Sequence, residues 1–158
     1  LIMYTGFVLG EVRAIAFWNA TLIPMLFILY SLLGGTGLTL AIHRAFPRGA
    51  VNIERLETIA LWLLSLSAVV MIVYLDVMYR RGPGAKQSVL DLVKGRISVP
   101  FILGVVVLGI IIPLSVASYG FIAGVSWVVL TTGAVCELIG GFSLRYSLLK
   151  AGTYEPLI

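Results

Sequence analysis

The sequence predicts an all-α fold, a polytopic transmembrane helix bundle of four full spans preceded by a partial N-terminal helix. Three observations carry that expectation. Of the 158 residues, 60% are hydrophobic and 11% are charged, whereas a soluble domain carries charge at roughly 25% of its positions. Two long stretches, Ala16 to Ile42 and Ile97 to Cys136, contain no charged residue. The longest polar connection, about 80–96, is too short to fold as a domain of its own. Disorder, collagen, coiled coil and an ordinary soluble enzyme are excluded on composition, and the whole chain reads as one transmembrane domain.

The elements follow in order. The stretch 1–10, LIMYTGFVLG, is short of the roughly 20 residues that cross about 30 Å of hydrocarbon. It reads as the end of an earlier helix, a partial element over 1–12, so the chain is expected to be a piece of a longer subunit. The first full span is expected at about 16–42, bent near its start by Pro24, which removes a backbone donor. The second runs over about 56–79. Asn52 suits its N-cap, and Glu54 and Glu57 place carboxylates near the positive helix end. The uncharged run after Ile97 is interrupted by the turn-rich Pro113–Gly120, which predicts a hairpin of spans over about 97–117 and 121–149. The last ends at Lys150, Ala151 and Gly152, a cation and a glycine that suit a helix C-terminus. Between charges in Ser88–Arg96 lie Val89, Leu90, Leu92 and Val93, the pattern of a short amphipathic helix at the membrane interface.

Charge supplies the orientation. With four spans and a stub, one side collects Arg13, Arg80, Arg81, Lys86, Lys94, Arg96, Arg145 and Lys150, and the other Arg44, Arg48 and Arg55. Eight against three predicts a cytoplasmic C-terminus. The net charge of +4 is then a property of membrane flanks, and no nucleic acid is expected as a partner. One cysteine, Cys136, and one histidine, His43, exclude an iron–sulfur cluster, a bis-histidine haem or a structural zinc site built from this chain alone.

Candidate functional residues are those that are polar inside an apolar bundle. Glu137 falls in the last span, flanked at helical spacing by Gly133, Gly140 and Gly141. A carboxylate there costs about 2.5–3.5 kcal/mol on insertion scales and should face protein. It serves either as a proton relay or as a structural partner of an arginine on a neighbouring helix. Asp76 near the end of the second span is a further proton-path candidate, or simply the i, i+4 partner of Arg80. His43 closes the first span with Thr36 and Thr39 on its face, where an imidazole can donate to a quinone carbonyl or shuttle a proton. Tyr4, near Glu11 and Arg13, completes a conceivable proton file through Arg13, Glu11, Tyr4 and Glu137, and is a second quinone-binding candidate. Gly34 and Gly35 beside Ser31, with the pairs Gly6/Gly10 and Gly120/Gly124, mark faces where helices pack closely. Trp18, Trp62 and Trp127 read as interfacial belt or packing residues.

Two motifs point further. Tyr4–Gly10 (YTGFVLG) followed by Ala16–Asn19 (AFWN) and Pro24–Phe27 (PMLF), and at the other end Gly140–Tyr146 (GGFSLRY) followed by Lys150–Gly152, together resemble the polysulfide reductase membrane-subunit family, also called NrfD-like. By motif position Tyr4 matches the tyrosine of the family's Tyr-Thr-Gly, and Arg145 the arginine of its terminus. The resemblance covers nearly the whole chain and implies the second half of a family member. It also implies a haem-less anchor that binds quinone, menaquinone or ubiquinone. The implied partners are an iron–sulfur subunit that holds the clusters and a molybdopterin-type catalytic subunit. Electrons would pass between the quinone pool and the iron–sulfur subunit in a respiratory oxidoreductase, with or without proton translocation. Two other classes compete: a small proton-coupled transporter or channel subunit using Glu137, and a structural assembly subunit whose small and anionic residues only pack helices.

Overall fold

The computed structural model of the chain describes residues 2–11, 15, 17–45, 52–123 and 127–152. Every regular element among them is helical: α1 (Ile2–Gly10), α2 (Leu22–Ala45), α3 (Ile53–Arg81), α4 (Pro83–Val93), a π-helical segment (Pro100–Ile111) running directly into α5 (Ile112–Ala123), and α6 (Trp127–Ala151). Among the described residues three stretches are long and apolar enough to cross a membrane, Leu22–His43, Glu54–Arg81 and Pro100–Tyr119. This corrects the expected four full spans to three.

The first span starts at Leu22, not at Ala16. Backbone groups of the preceding turn are held by distant partners. The Tyr74 hydroxyl donates to the Phe17 carbonyl at 2.8 Å, the Arg81 guanidinium donates to both the carbonyl and Oδ1 of Asn19, and the Trp18 indole donates to the Leu148 carbonyl at 2.8 Å. Together with local turn bonds such as Trp18 N–H to the Ile15 carbonyl at 3.0 Å and Ala20 N–H to the Trp18 carbonyl at 2.7 Å, these partners satisfy the segment without a continuous helical ladder. The Leu148 carbonyl lies in the last turn of α6, where helices leave acceptors without partners, so Trp18 also closes that helix. Pro24 falls in the first turn of α2, where no intrahelical donor is required.

Asn52 caps α3 as expected, its side chain accepting from the Arg55 N–H at 3.2 Å. The short amphipathic helix is present but begins earlier, at Pro83, a residue preset for the first helical position. Its buried face, Ala85, Ser88, Val89 and Leu92, follows the i, i+3, i+4, i+7 rule and packs against α3, α6 and the π-helical segment.

The expected break at Pro113–Gly120 is helical instead. Pro113 is accommodated by a change of winding. The Ile112 N–H bonds to the Val107 carbonyl, five residues back, and the next residue is the one that has no N–H to donate. The switch from π to α winding therefore coincides with the missing donor, an adjustment available to proline in membrane helices.

The main core lies toward one end of the bundle, where Phe17, Leu26, Phe27, Tyr74, Met78, Leu92, Phe101, Val105, Leu144 and Leu148 pack together. Phe17 and Tyr74 stack at 5.4 Å with a 60° tilt. Further from that end the contacts rely on small residues. Gly109 on the π-helical segment meets Gly140 on α6 so closely that a Cβ at Gly109 would lie 3.0 Å from the Gly140 Cα, and one at Gly140 would collide with the Gly109 backbone. Gly140→Leu should therefore lower stability by at least about 3 kcal/mol or prevent folding, whereas Gly35→Ala, which meets open space, should be neutral or stabilising by up to about 1 kcal/mol. Thermal unfolding of the purified variants in detergent checks both.

Candidate functional site

Glu137 sits halfway along α6 on the side facing α2. Gly37 of α2 makes room for it: a Cβ at that position would collide with Glu137 Oε2. Oε2 is fully buried and, among the described residues, has no hydrogen-bond partner. Burying an unpaired carboxyl oxygen is costly, and such atoms are uncommon enough that each needs an explanation. Among the described residues, Glu137 forms no ion pair with an arginine on another helix. Arg145, two turns further along α6, donates to Ser31 Oγ at 2.9 Å and lies 5.6 Å over the Phe27 ring. Ser31 in turn donates to the Phe27 carbonyl at 2.7 Å.

Two spaces flank this carboxyl. One is a cleft of about 440 Å³ between α2 and α6, lined by Tyr30, Ser31, Leu38, Glu137, Phe142 and Arg145 together with the small faces of Gly34, Gly35 and Gly141. The Tyr30 hydroxyl is a second buried polar atom without a hydrogen-bond partner. Leu38, Leu138 and Phe142 around the cleft are exposed, so it opens sideways from the bundle. The other space is a narrow cavity of about 40 Å³ enclosed by α2, α3, α5 and α6, with Glu57 and Glu137 as its two carboxylates.

The other sequence candidates lie elsewhere. Tyr4 is 71% exposed on α1, and Glu11 lines a separate cavity of about 400 Å³ with Asn19, Thr21 and Arg81. Neither lines the two spaces around Glu137, and Arg13 lies outside the described residues. Asp76 forms an exposed ion pair with Arg80 at 3.0 Å, the i, i+4 geometry anticipated from the spacing. His43 is half-buried near the end of α2, and the Thr36 and Thr39 hydroxyls on its face donate to carbonyls of their own helix. Trp18 is a packing residue, while Trp62 is 74% exposed, as a belt residue would be. Sequence reasoning missed Gly37, Tyr30 and Glu57 as neighbours of Glu137. Only Gly37 carried a signal, as a small residue one turn after Gly34 on a packing helix.

The arrangement offers donors at Tyr30 and Arg145 beside a carboxyl group, in a laterally open apolar cleft. No group of three or more metal-ligating side chains occurs among the described residues. Ser31→Ala, which removes the acceptor of Arg145, should cost about 1–3 kcal/mol, read as a fall in Tm, and Ser31→Thr should restore most of it.

Against known proteins, the profile of one family, described as Polysulphide reductase, NrfD, matches residues 1–156. No curated protein and no solved structure matches the chain.

Proposed function

Because this chain belongs to the polysulphide reductase NrfD family, we propose that it is a quinone-interacting membrane subunit of a multi-subunit oxidoreductase, exchanging electrons with a peripheral iron–sulfur subunit that in turn serves a molybdopterin-type catalytic subunit. The family match over nearly the whole chain carries this reading. That the chain is an integral membrane protein follows from the family together with its three long apolar helices.

The α2–α6 cleft fits a quinone headgroup in its chemistry. A quinone is a flat apolar ring with two carbonyl acceptors. The cleft combines apolar walls with the Tyr30 hydroxyl, still without a partner, and the Arg145 and Ser31 pair. Its lateral opening suits a ligand that arrives dissolved in lipid. When bound, quinone supplies the two-electron, two-proton redox couple, and the redox chemistry is the cofactor's own. The residues of this chain orient it and hold protons: Tyr30 and Arg145 as donors toward its oxygens, Glu137 as the carboxyl group that takes up or returns a proton. His43 and Tyr4, outside the cleft, are given no quinone contact in this proposal.

A proton-coupled transporter would also use a buried acid between two spaces, and the composition of the native assembly separates the two readings. Gentle purification from membranes followed by mass spectrometry should find an iron–sulfur subunit bound to this chain, and a photoreactive quinone should label peptides of α2 and α6, with protection by excess quinone. Assembly without redox partners would favour the transporter. In reconstituted vesicles Glu137→Gln should lower the number of protons exchanged per electron, and an unchanged ratio would count against the assigned proton role.

A further inference from the structure

We propose that Glu57 and Glu137 form the two ends of a short proton file that joins the α2–α6 cleft to the aqueous face at the start of α3. Three observations lead there. Glu137 Oε2 is buried without a hydrogen-bond partner. The cavity of about 40 Å³ carries these two carboxylates and is otherwise lined by Gly37, Leu40, Ala60, Pro113, Val116, Ala117, Gly133 and Ala134, none with an ionisable side chain. Finally, Glu57 lies one turn from the N-terminus of α3, whose capping residue Asn52 is exposed.

Size decides what the cavity can hold. One water needs about 10–15 Å³ of such space and two to four polar partners. A cavity of 40 Å³ therefore admits a file of roughly two or three waters, and the two carboxyl groups that line it supply polar partners. The groups facing Glu137 from the packed elements are Glu57 on α3, Tyr30 on α2 and Arg145 on its own helix, while α5 presents only Pro113, Val116 and Ala117. The transfer balances simply. A proton leaves the Glu137 carboxyl for the first water, the file passes one on to Glu57, Glu57 releases one to solvent, and the Glu137 carboxylate takes up a fresh proton from the cleft, so that one proton crosses and each group returns to its starting state. The reverse sequence brings a proton in. The small residues are then the walls of the file, since a larger side chain at Ala60 would occupy the space of the waters.

The inference rests on the quinone-linked reading only for the source of the proton, so its test does not depend on redox turnover. In the native complex in oriented vesicles, Cys136→Ala removes the chain's one cysteine, and Glu57→Cys or Glu137→Cys is introduced in turn. Silver ion, small enough for a water-wide file, is applied to one face. Thiols left unreacted are captured with a maleimide after solubilisation and counted on this chain by mass spectrometry. Silver applied on the face of the α3 N-terminus should block both positions, and Ala60→Leu should slow the reaction of Glu137→Cys at least tenfold while leaving that of Glu57→Cys unchanged. Should Ala60→Leu disturb assembly, Ala60→Val is the milder plug and should give a smaller slowing in the same direction. Failure of silver to reach Glu137→Cys from that face, or an equal rate with the cavity filled, overturns the file. If labelling behaves as expected but no quinone labels the cleft, the file stands and the quinone-linked reading fails. Quinone labelling without silver access leaves that reading intact and overturns the file.

Discussion

The surroundings of Glu137 depend on how closely α6 approaches its neighbours through glycine. At Gly109 and Gly140 two helix backbones come together with no side chain between them. At Gly37 the missing side chain of α2 is replaced by the Glu137 carboxyl itself. In a bundle surrounded by lipid, helices gain little from hiding apolar surface, because the tails are as apolar as leucine, and close packing of small residues takes over as the cohesive force. The same small residues that bring the backbones together leave narrow spaces where larger side chains would have filled them. The cavity beside Glu137 is thus a by-product of the contact that holds α6 in place.

A second constraint, that backbone donors and acceptors away from water must find partners, accounts for the two departures from regular helix. Between α1 and α2, carbonyl groups of Phe17 and Asn19 are satisfied by Tyr74 and Arg81 of α3, and the chain turns there on a few local backbone bonds. Around Pro113 the helix takes the other solution and changes its winding until the residue without an N–H falls where none is needed. Both devices sit next to functional geometry. The first pins α2 against α3 and α6, and the second carries Pro113, Val116 and Ala117 to the wall of the small cavity.

The charged side chains divide by the same logic. Asp76 and Arg80 neutralise each other on an exposed face, and Arg145 places one N–H on Ser31 and its charge over the Phe27 ring. Glu137 is the carboxylate left without such an arrangement at its buried oxygen. A group kept buried at a cost that packing alone does not repay is the usual mark of chemistry, and it lies where the cleft and the internal cavity meet.

Much of this was legible from the sequence. Composition and uncharged runs establish a polytopic helical membrane protein, because spans are local in sequence and lipid imposes their length. The Asn52 cap, the Asp76–Arg80 pair and the helix end at Gly152 are likewise local, each settled within a turn or two. The start of the first span and the continuity through Pro113 were decided by tertiary structure. Their determinants are bonds between residues as far apart as Trp18 and Leu148, and a winding change that no periodicity announces. The site divides in the same way. An intramembrane acid is visible in one dimension. That its neighbours are Gly37, Tyr30 and Glu57, rather than Tyr4 and Glu11, follows only once α2, α3 and α6 are brought side by side, since the gaps between packed helices belong to no single segment of the chain.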